Sequence, residues 1–242
     1  MVLIVRLDKS ITDLIHRVDH LHSALTESLP RFTMEDAQEE SINSPPSSPL
    51  VYTPDSFSGI TNSALLDILH QLRDASQFLE NLEDPVPEDV FFSFGIKRAR
   101  IEDNLFRLRP TVDGGPIQDT LSAIERCCRV SALLYIQTAL TKVNCKVYHG
   151  LVETLRHGIE QVGQESIQAE YPDLLLWMLL VGGGAAPFNI DRLWYMRAVK
   201  KNLYTDSWVE VEQRLEGWPW RPKYCVPWRA TWREATQLYE EI

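Results

Sequence analysis

The sequence Leu174-Leu175-Leu176-Trp177-Met178-Leu179-Leu180-Val181, followed directly by Gly182-Gly183-Gly184-Ala185-Ala186-Pro187, decides how the chain is read. Eight consecutive apolar side chains leave no polar face for water, so the segment is buried on every side. It is far shorter than the about 20 apolar residues needed to cross a bilayer. Leu and Met favour the helix, and β-branched residues are nearly absent from the run. Tyr171-Pro172-Asp173 puts a proline near the first helical position and an acid in the first turn, where the helix dipole favours negative charge. The segment therefore predicts a buried central helix over about 171–182. The three glycines are expected to end it and to let neighbouring backbones approach closely.

The flanking sequence supplies helices to surround it. Leu121 to Leu140 is apolar nearly all round, through Ile124, Cys127, Cys128, Val130, Leu133, Leu134, Tyr135 and Ile136, and belongs inside a bundle. Val147 to Val162 is amphipathic through Leu151, Val152, Leu155 and Ile159 and is ended by Gly163. Downstream, Asn189 or Asp191 caps a helix carrying Leu193, Trp194, Ala198 and Val199. Thr205 or Asp206 caps another with Trp208, Val211 and Leu215 facing in. Gly217-Trp218-Pro219-Trp220-Arg221-Pro222 is too proline-rich for helix, and Pro227 opens a last one with Trp228, Trp232, Ala235 and Leu238 inward. Upstream, Ser63 caps a helix with Leu65, Ile68, Leu69, Leu72, Phe78, Leu79 and Leu82 at helical spacing, stopped before Asp84-Pro85-Val86-Pro87. Phe91, Phe92 and Phe94 are expected to form a packed aromatic knot. No stretch alternates with period 2. The predicted fold is all-α: an irregular multi-helix bundle around the central helix.

Ahead of this body the composition changes. Residues 12–29 carry Leu14, Val18, Leu21 and Leu25 on one stripe, an amphipathic N-terminal helix ended by Pro30. His16 and His20 have the spacing of two metal ligands on one helix face, but no third ligand accompanies them, and no metal is expected. From Pro30 to Gly59 there are five acids and one Arg, with Ser44-Pro45-Pro46-Ser47-Ser48-Pro49 and Thr53-Pro54. So few apolar side chains cannot offset ordering entropy, which predicts a disordered linker. Its Ser/Thr-Pro steps make Ser44, Ser48 and Thr53 candidates for phosphorylation. The predicted organisation is an N-terminal helix over 1–29, a linker over 30–60 and a helical domain over 61–242.

The net charge of −10 argues against a surface that coats nucleic acid. Cys127, Cys128, Cys145 and Cys225 form no spaced metal-binding pairs and read as reduced, buried thiols of an intracellular protein. The N-terminus, Met1-Val-Leu-Ile-Val5-Arg6, has no long apolar core of a secretory signal. A chain in the nucleus or cytoplasm, off the membrane, is expected. No nucleophile elbow, phosphate loop, C-x-x-C or H-E-x-x-H is present, and Gly182-Gly183-Gly184 follows a helix pattern where a dinucleotide loop would follow a strand. No catalytic residue and no cofactor is expected. Cys127 has an apolar helical setting that raises a thiol pKa and lowers reactivity. Lys97-Arg98-Ala99-Arg100 reads as the solvated face of a helix buried through Ile96, Ile101, Leu105 and Leu108. Six Trp interleave with nine Lys/Arg from Arg192 to Arg233. At helical spacing they read as core with cationic stems lying over the rings. A partly exposed Trp218-Pro219-Trp220 turn is the candidate binding surface, with Gly182, Gly183 and Gly184 as the other interaction candidates.

The order of these features carries a resemblance. Cys127-Cys128-Arg129-Val130-Ser131-Ala132-Leu133-Leu134-Tyr135-Ile136 comes first, then Leu174 to Pro187 with its glycines, then Trp194. Trp208-Val209-Glu210 to Leu215, Trp218-Pro219-Trp220, Cys225 and Trp228 follow. From roughly Asn62 to Leu238 the pattern resembles the C-terminal regulatory region of fungal-specific transcription factors of the zinc binuclear-cluster type. The resemblance implies an all-helical, non-catalytic module that regulates transcription through protein or small-molecule contacts. The six closely spaced cysteines of that family's DNA-binding module are missing before Pro30, so no sequence-specific DNA binding is expected of this chain alone. A protein partner, either a complete factor or a second copy, is expected, and a small-molecule effector is compatible with the resemblance. The alternative is a small-molecule binding protein or enzyme with a pocket near Gly182–Pro187 and the Trp-rich C-terminal third.

Overall fold

The computed structural model describes residues 57–82, 86–108, 121–140, 148–187, 190–202, 205 and 207–238. Among them are nine α-helices and no strand: α1 Ser63–Glu80, α2 Glu88–Arg107, α3 Ala123–Tyr135, α4 His149–Val162, α5 Gln164–Glu170, α6 Pro172–Ala185, α7 Ile190–Asn202, α8 Trp208–Leu215 and α9 Val226–Gln237. A π-turn, Ile136–Leu140, prolongs α3, and a 3-10 turn, Pro222–Tyr224, precedes α9. The all-α architecture read from the sequence is the one observed. The N-terminal helix over 1–29, most of the linker, and Ser44, Ser48, Thr53, His16 and His20 lie outside the described residues.

Helix α6 is the axis. Every residue from Leu174 to Ala185 is buried, and the helix touches α3, α4, α5, α7, α8 and α9. Burying each Leu or Met side chain contributes about 1.5–3 kcal/mol, so this one helix concentrates much of the hydrophobic stabilisation. Pro172 occupies the first turn, and Asp173 there takes an ion pair from Arg214 at 2.7 Å.

The glycines correct one expectation. They do not end the helix, which runs on to Ala185 with right-handed backbone throughout. Their second expected role is observed. A Cβ on Gly182 would collide with the Tyr195 ring of α7, one on Gly183 with Thr231 of α9, and one on Gly184 with the Trp228 indole of α9. Packing by three neighbouring side chains holds a segment that glycine's low helix propensity alone would release.

The flanking helices follow their periodicity. In α4 the four buried residues are Leu151, Val152, Leu155 and Ile159, and Gly163 with φ 92° turns the chain into α5. In α8 they are Trp208, Val211 and Leu215. Asn62, rather than Ser63, caps α1: its Oδ1 accepts from the Leu65 amide at 2.9 Å. Asp191 is no cap either; it lies within the first turn of α7 and is buried.

The body also begins earlier than composition suggested. Phe57, at the end of the acidic segment, is buried, set edge-on to His70 and Trp218 at 4.9 and 5.1 Å, with the Arg73 guanidinium over its ring. A second tie fixes this corner. Ser122 caps α3, accepting from the Glu125 amide, while Glu125 reaches back to the Ser122 amide at 2.8 Å. The other oxygen of Glu125 accepts from the Thr61 amide, the Thr61 hydroxyl and the Asn62 amide at 2.8–3.0 Å. One buried carboxylate thus joins the starts of α1 and α3.

Burial alone would raise the pKa of Glu125, but the amides of Ser122, Asn62 and Thr61 and the Ser122 hydroxyl outweigh it and hold the pKa at about 2, from 4.5. A depressed carboxylate pKa contributes stability that is fully present above the unfolded value and is lost as pH falls toward the folded one. At neutral pH the shift corresponds to about 3 kcal/mol, shed between about pH 5 and pH 2. Glu125→Gln is expected to flatten the acid limb of a stability–pH curve measured by urea unfolding. An unchanged acid limb contradicts the tie.

At the glycines two effects have opposite signs. Gly184→Ala gains up to about 1 kcal/mol of helix propensity but overpacks Trp228, which costs about 1–3 kcal/mol. We expect a net loss of stability in urea unfolding, where a gain would show that the approach to Trp228 is loose.

Candidate functional site

The sequence candidates are placed in the interior. Trp218 and Trp220, read as a partly exposed turn, are only 3% and 9% exposed, which removes them as a binding surface. Trp218 stacks on Trp177 of α6 at 5.3 Å, and the Trp177 indole N–H donates to the Pro219 carbonyl at 3.0 Å. Trp220 sits 4.9 Å from Trp228 and 5.9 Å from Trp208, and Tyr135 sits 5.4 Å from Trp228. The Trp-Pro-Trp turn is a plug laid over the central helix. Gly182, Gly183 and Gly184 are likewise covered, so the space beside them is filled by Tyr195, Thr231 and Trp228. An open cleft of about 410 Å³ lies elsewhere, lined by residues that include Thr61, Ser122, Ile124, Ser166, Glu170 and Tyr171.

Several buried polar groups were not singled out in the sequence. Arg192, buried at the start of α7, donates to both oxygens of Glu234 at 2.7 and 2.8 Å and to the Gly183 carbonyl at 3.0 Å. The Arg192 hydrogen bonds hold the Glu234 carboxyl below the usual range. The Asp191 carboxylate faces Nδ1 of His149 at 3.2 Å and Nε of Arg156 at 3.5 Å. His149 and His157 are eight positions apart on α4, about 12 Å along its axis, and do not meet. Arg221 reaches the carbonyls of Ala139 and Leu79 at 3.1 and 3.4 Å. Gln137 in the π-turn donates to Glu102 and accepts from Tyr148. Most of these links join segments more than thirty residues apart, and no local pattern marks an arginine whose partner lies 42 positions away. They fasten helices together, as where Asp191 of α7 holds His149 and Arg156 of α4. Among the described residues no group of His, Cys, Asp and Glu is arranged to hold a metal ion, and none of the described helices is long and apolar enough to cross a membrane.

The described cysteines behave as their apolar setting predicts. Cys127, Cys128 and Cys225 are buried and free. Burial pushes Cys127 up to about 11 and raises Cys128 and Cys225 as well. The Cys127 sulfur also faces Gly158 of α4, where a Cβ would crowd it.

The exposed large apolar side chains among the described residues include Ile190, Val209 and Val226 on the C-terminal helices and three phenylalanines. Phe91 and Phe92 at the start of α2 are 66% and 50% exposed, and Phe78 near the end of α1 is 40% exposed. This corrects the expected packed knot, of which only Phe94 is buried, in a parallel stack with Phe78 at 6.1 Å. The inward stripe of α2 is Phe94, Arg98, Ile101, Glu102, Leu105 and Phe106. Phe91 lies one turn before Phe94, near the start of α2, and is exposed. Exposed aromatic side chains are enriched at interaction surfaces relative to the rest of a protein's exterior. Along the same helix follow the exposed cations Lys97, Arg100 and Arg107, the last paired with Asp103 at 2.9 Å.

Comparison with protein-family models, with curated proteins and with solved structures finds no match to this chain. The exposed Phe78, Phe91 and Phe92 are the candidate functional site on their exposure alone.

For the thiols, we expect slow alkylation of Cys127, Cys128 and Cys225 in a native Cys145→Ser protein near pH 8, rising by orders of magnitude in denaturant. Fast native labelling of Cys127 would contradict its burial.

Proposed function

We propose that the chain is a non-catalytic regulatory module that acts through protein contacts, of the kind its sequence resembles in the regulatory regions of fungal zinc-cluster transcription factors. One observation carries the reading: the interior is closed around α6, with tryptophans and glycines used up in packing, while Phe78, Phe91 and Phe92 stand at the surface. A catalytic module presents polar groups converging on a cavity. A docking module exposes apolar side chains, and the exposure of Phe78, Phe91 and Phe92 supports that reading. The partner is a protein, either a complete DNA-binding factor or a second copy of this chain. In this reading DNA is reached through that partner, and the work is done in the nucleus.

The burial of the Trp-Pro-Trp turn moves the contact surface from the C-terminal third, where the sequence put it, to the α1–α2 hairpin. Phe91 and Phe92 supply wide apolar contact area at the tip of the hairpin.

The test is transcriptional. With the full chain fused to an unrelated DNA-binding domain in yeast, reporter expression is expected to change several-fold. Phe91→Asp with Phe92→Asp is expected to abolish that change while circular dichroism stays that of the parent. A reporter unaffected by the parent fusion overturns the reading.

A further inference from the structure

We infer that the cleft between the start of α3 and the α4–α5 corner is a binding site for an organic primary amine with an apolar body. Three segments build it: the loop ahead of α1, the first turn of α3, and the junction of α4 with α5. Its volume of about 410 Å³ falls among small-molecule sites, which run from about 300 to 1,000 Å³. The walls are fixed before any ligand arrives. Thr61 and Ser122 are joined by the same Glu125 carboxylate at 2.8–3.0 Å. Gly59, with φ 93°, lets the Tyr171 ring sit where a Cβ would meet it at 2.7 Å. Ile167 anchors α5 in the core. Little therefore has to be ordered on binding.

The charge around the cleft selects a cation. Among the described residues no Lys, Arg or His lines it, and Glu170 lines it exposed, with no hydrogen bond or ion pair of its own. Val162 brings the C-terminal, negative end of α4 to the same place. The positive end of α3 is there too, but its partial charge of about +0.5 is outweighed by the full negative charge of Glu125, which folds back on that first turn. Arg126, next in sequence, donates to the Leu121 carbonyl at 3.0 Å. A divalent metal ion is not served, because it takes about six oxygen ligands and Glu170 is the one carboxylate among the described lining residues.

The rest of the lining suits an ammonium group carried on an apolar stem. An ammonium has three donors and no acceptor, so it needs oxygens around it. Glu170 and Ser166 are one turn apart on the same face of α5, and the Tyr171 hydroxyl adds a third oxygen. Neither the Ser166 nor the Tyr171 hydroxyl has a partner among the described residues. Ile124 and Val162 are half-buried apolar side chains beside the Tyr171 ring, and together they give the stem a surface to lie on. An aromatic ring also attracts a cation to its face. A carboxylate ligand would instead meet Glu170 with like charge.

The probe is phenethylamine, titrated into the isotope-labelled full-length chain and followed by two-dimensional NMR, with phenylacetate as the carboxylate of the same carbon skeleton. Saturable shifts are expected at the amides of Ser122, Ser166, Glu170 and Tyr171, with a dissociation constant of about a millimolar for a ligand this small. Phenylacetate is expected to leave those signals in place. Glu170→Gln, at an exposed position without a partner, is expected to weaken amine binding about five-fold or more. Glu165→Gln alters an acid of the same helix that pairs with Lys201 outside the lining, and is expected to leave the affinity unchanged. The inference is overturned by the absence of a saturable shift or by an equal response to phenylacetate. Equal weakening by the two substitutions overturns it as well, because net charge alone would then be attracting the amine. The cleft shares no residue with Phe78, Phe91 and Phe92, so failure here leaves the protein-contact reading standing.

Discussion

The close approach of α7 and α9 to the glycine end of α6 is the constraint on which the rest of the body depends. Three successive residues without side chains let the Tyr195 ring, the Thr231 side chain and the Trp228 indole rest on helical backbone. This contact sets the depth at which the two C-terminal helices sit. Arg192 then ties the same corner, reaching the Gly183 carbonyl from α7 and Glu234 of α9. Trp228, once seated, fixes Tyr135 of α3 on one side and Trp220 on the other. A side chain at any of the three glycines would push that arrangement outward, because interiors are packed too densely to absorb a methyl group without movement.

The polar interior serves the same end. Tyr195 donates to the Val152 carbonyl of α4 and Tyr135 to the Ser76 hydroxyl of α1, at 2.8 and 2.7 Å. Both phenols are raised above their ordinary pKa, chiefly by burial, so they remain neutral donors. Arg221 does for the Trp-Pro-Trp turn what Arg192 does for α7, anchoring it to carbonyls of α1 and the π-turn. Each link leaves fewer alternative ways for one helix to slide on another. A buried donor without its acceptor costs about 1–3 kcal/mol, so a shifted packing is penalised.

The sequence was legible wherever burial is set by a helix's own periodicity. The all-round apolar run of α6, the four inward positions of α4 and the three of α8 were all readable, because one buried face repeats at helical spacing. The capping box of α3 is also local, Ser122 and Glu125 being three apart. What was not legible depends on other elements. Phe91 continues the inward stripe of α2 by spacing and is nonetheless exposed. Trp218 and Trp220 sit in a proline-rich turn that resembles a surface loop until Trp177, about 40 positions earlier in sequence, is seen beneath it. The glycines read as a stop because propensity is local, while the three side chains that hold them in a helix come from two other segments.

The chain of rings has an optical consequence. Phe57 touches Trp218, Trp218 stacks on Trp177, and Tyr135 links Trp177 to Trp228, Trp220 and Trp208. The indoles are coupled chromophores, so their near-ultraviolet dichroism and emission belong to the cluster and not to single residues. The first ring of that series, Phe57, stands where the acidic segment meets the body, so the ring series runs from that junction to the centre.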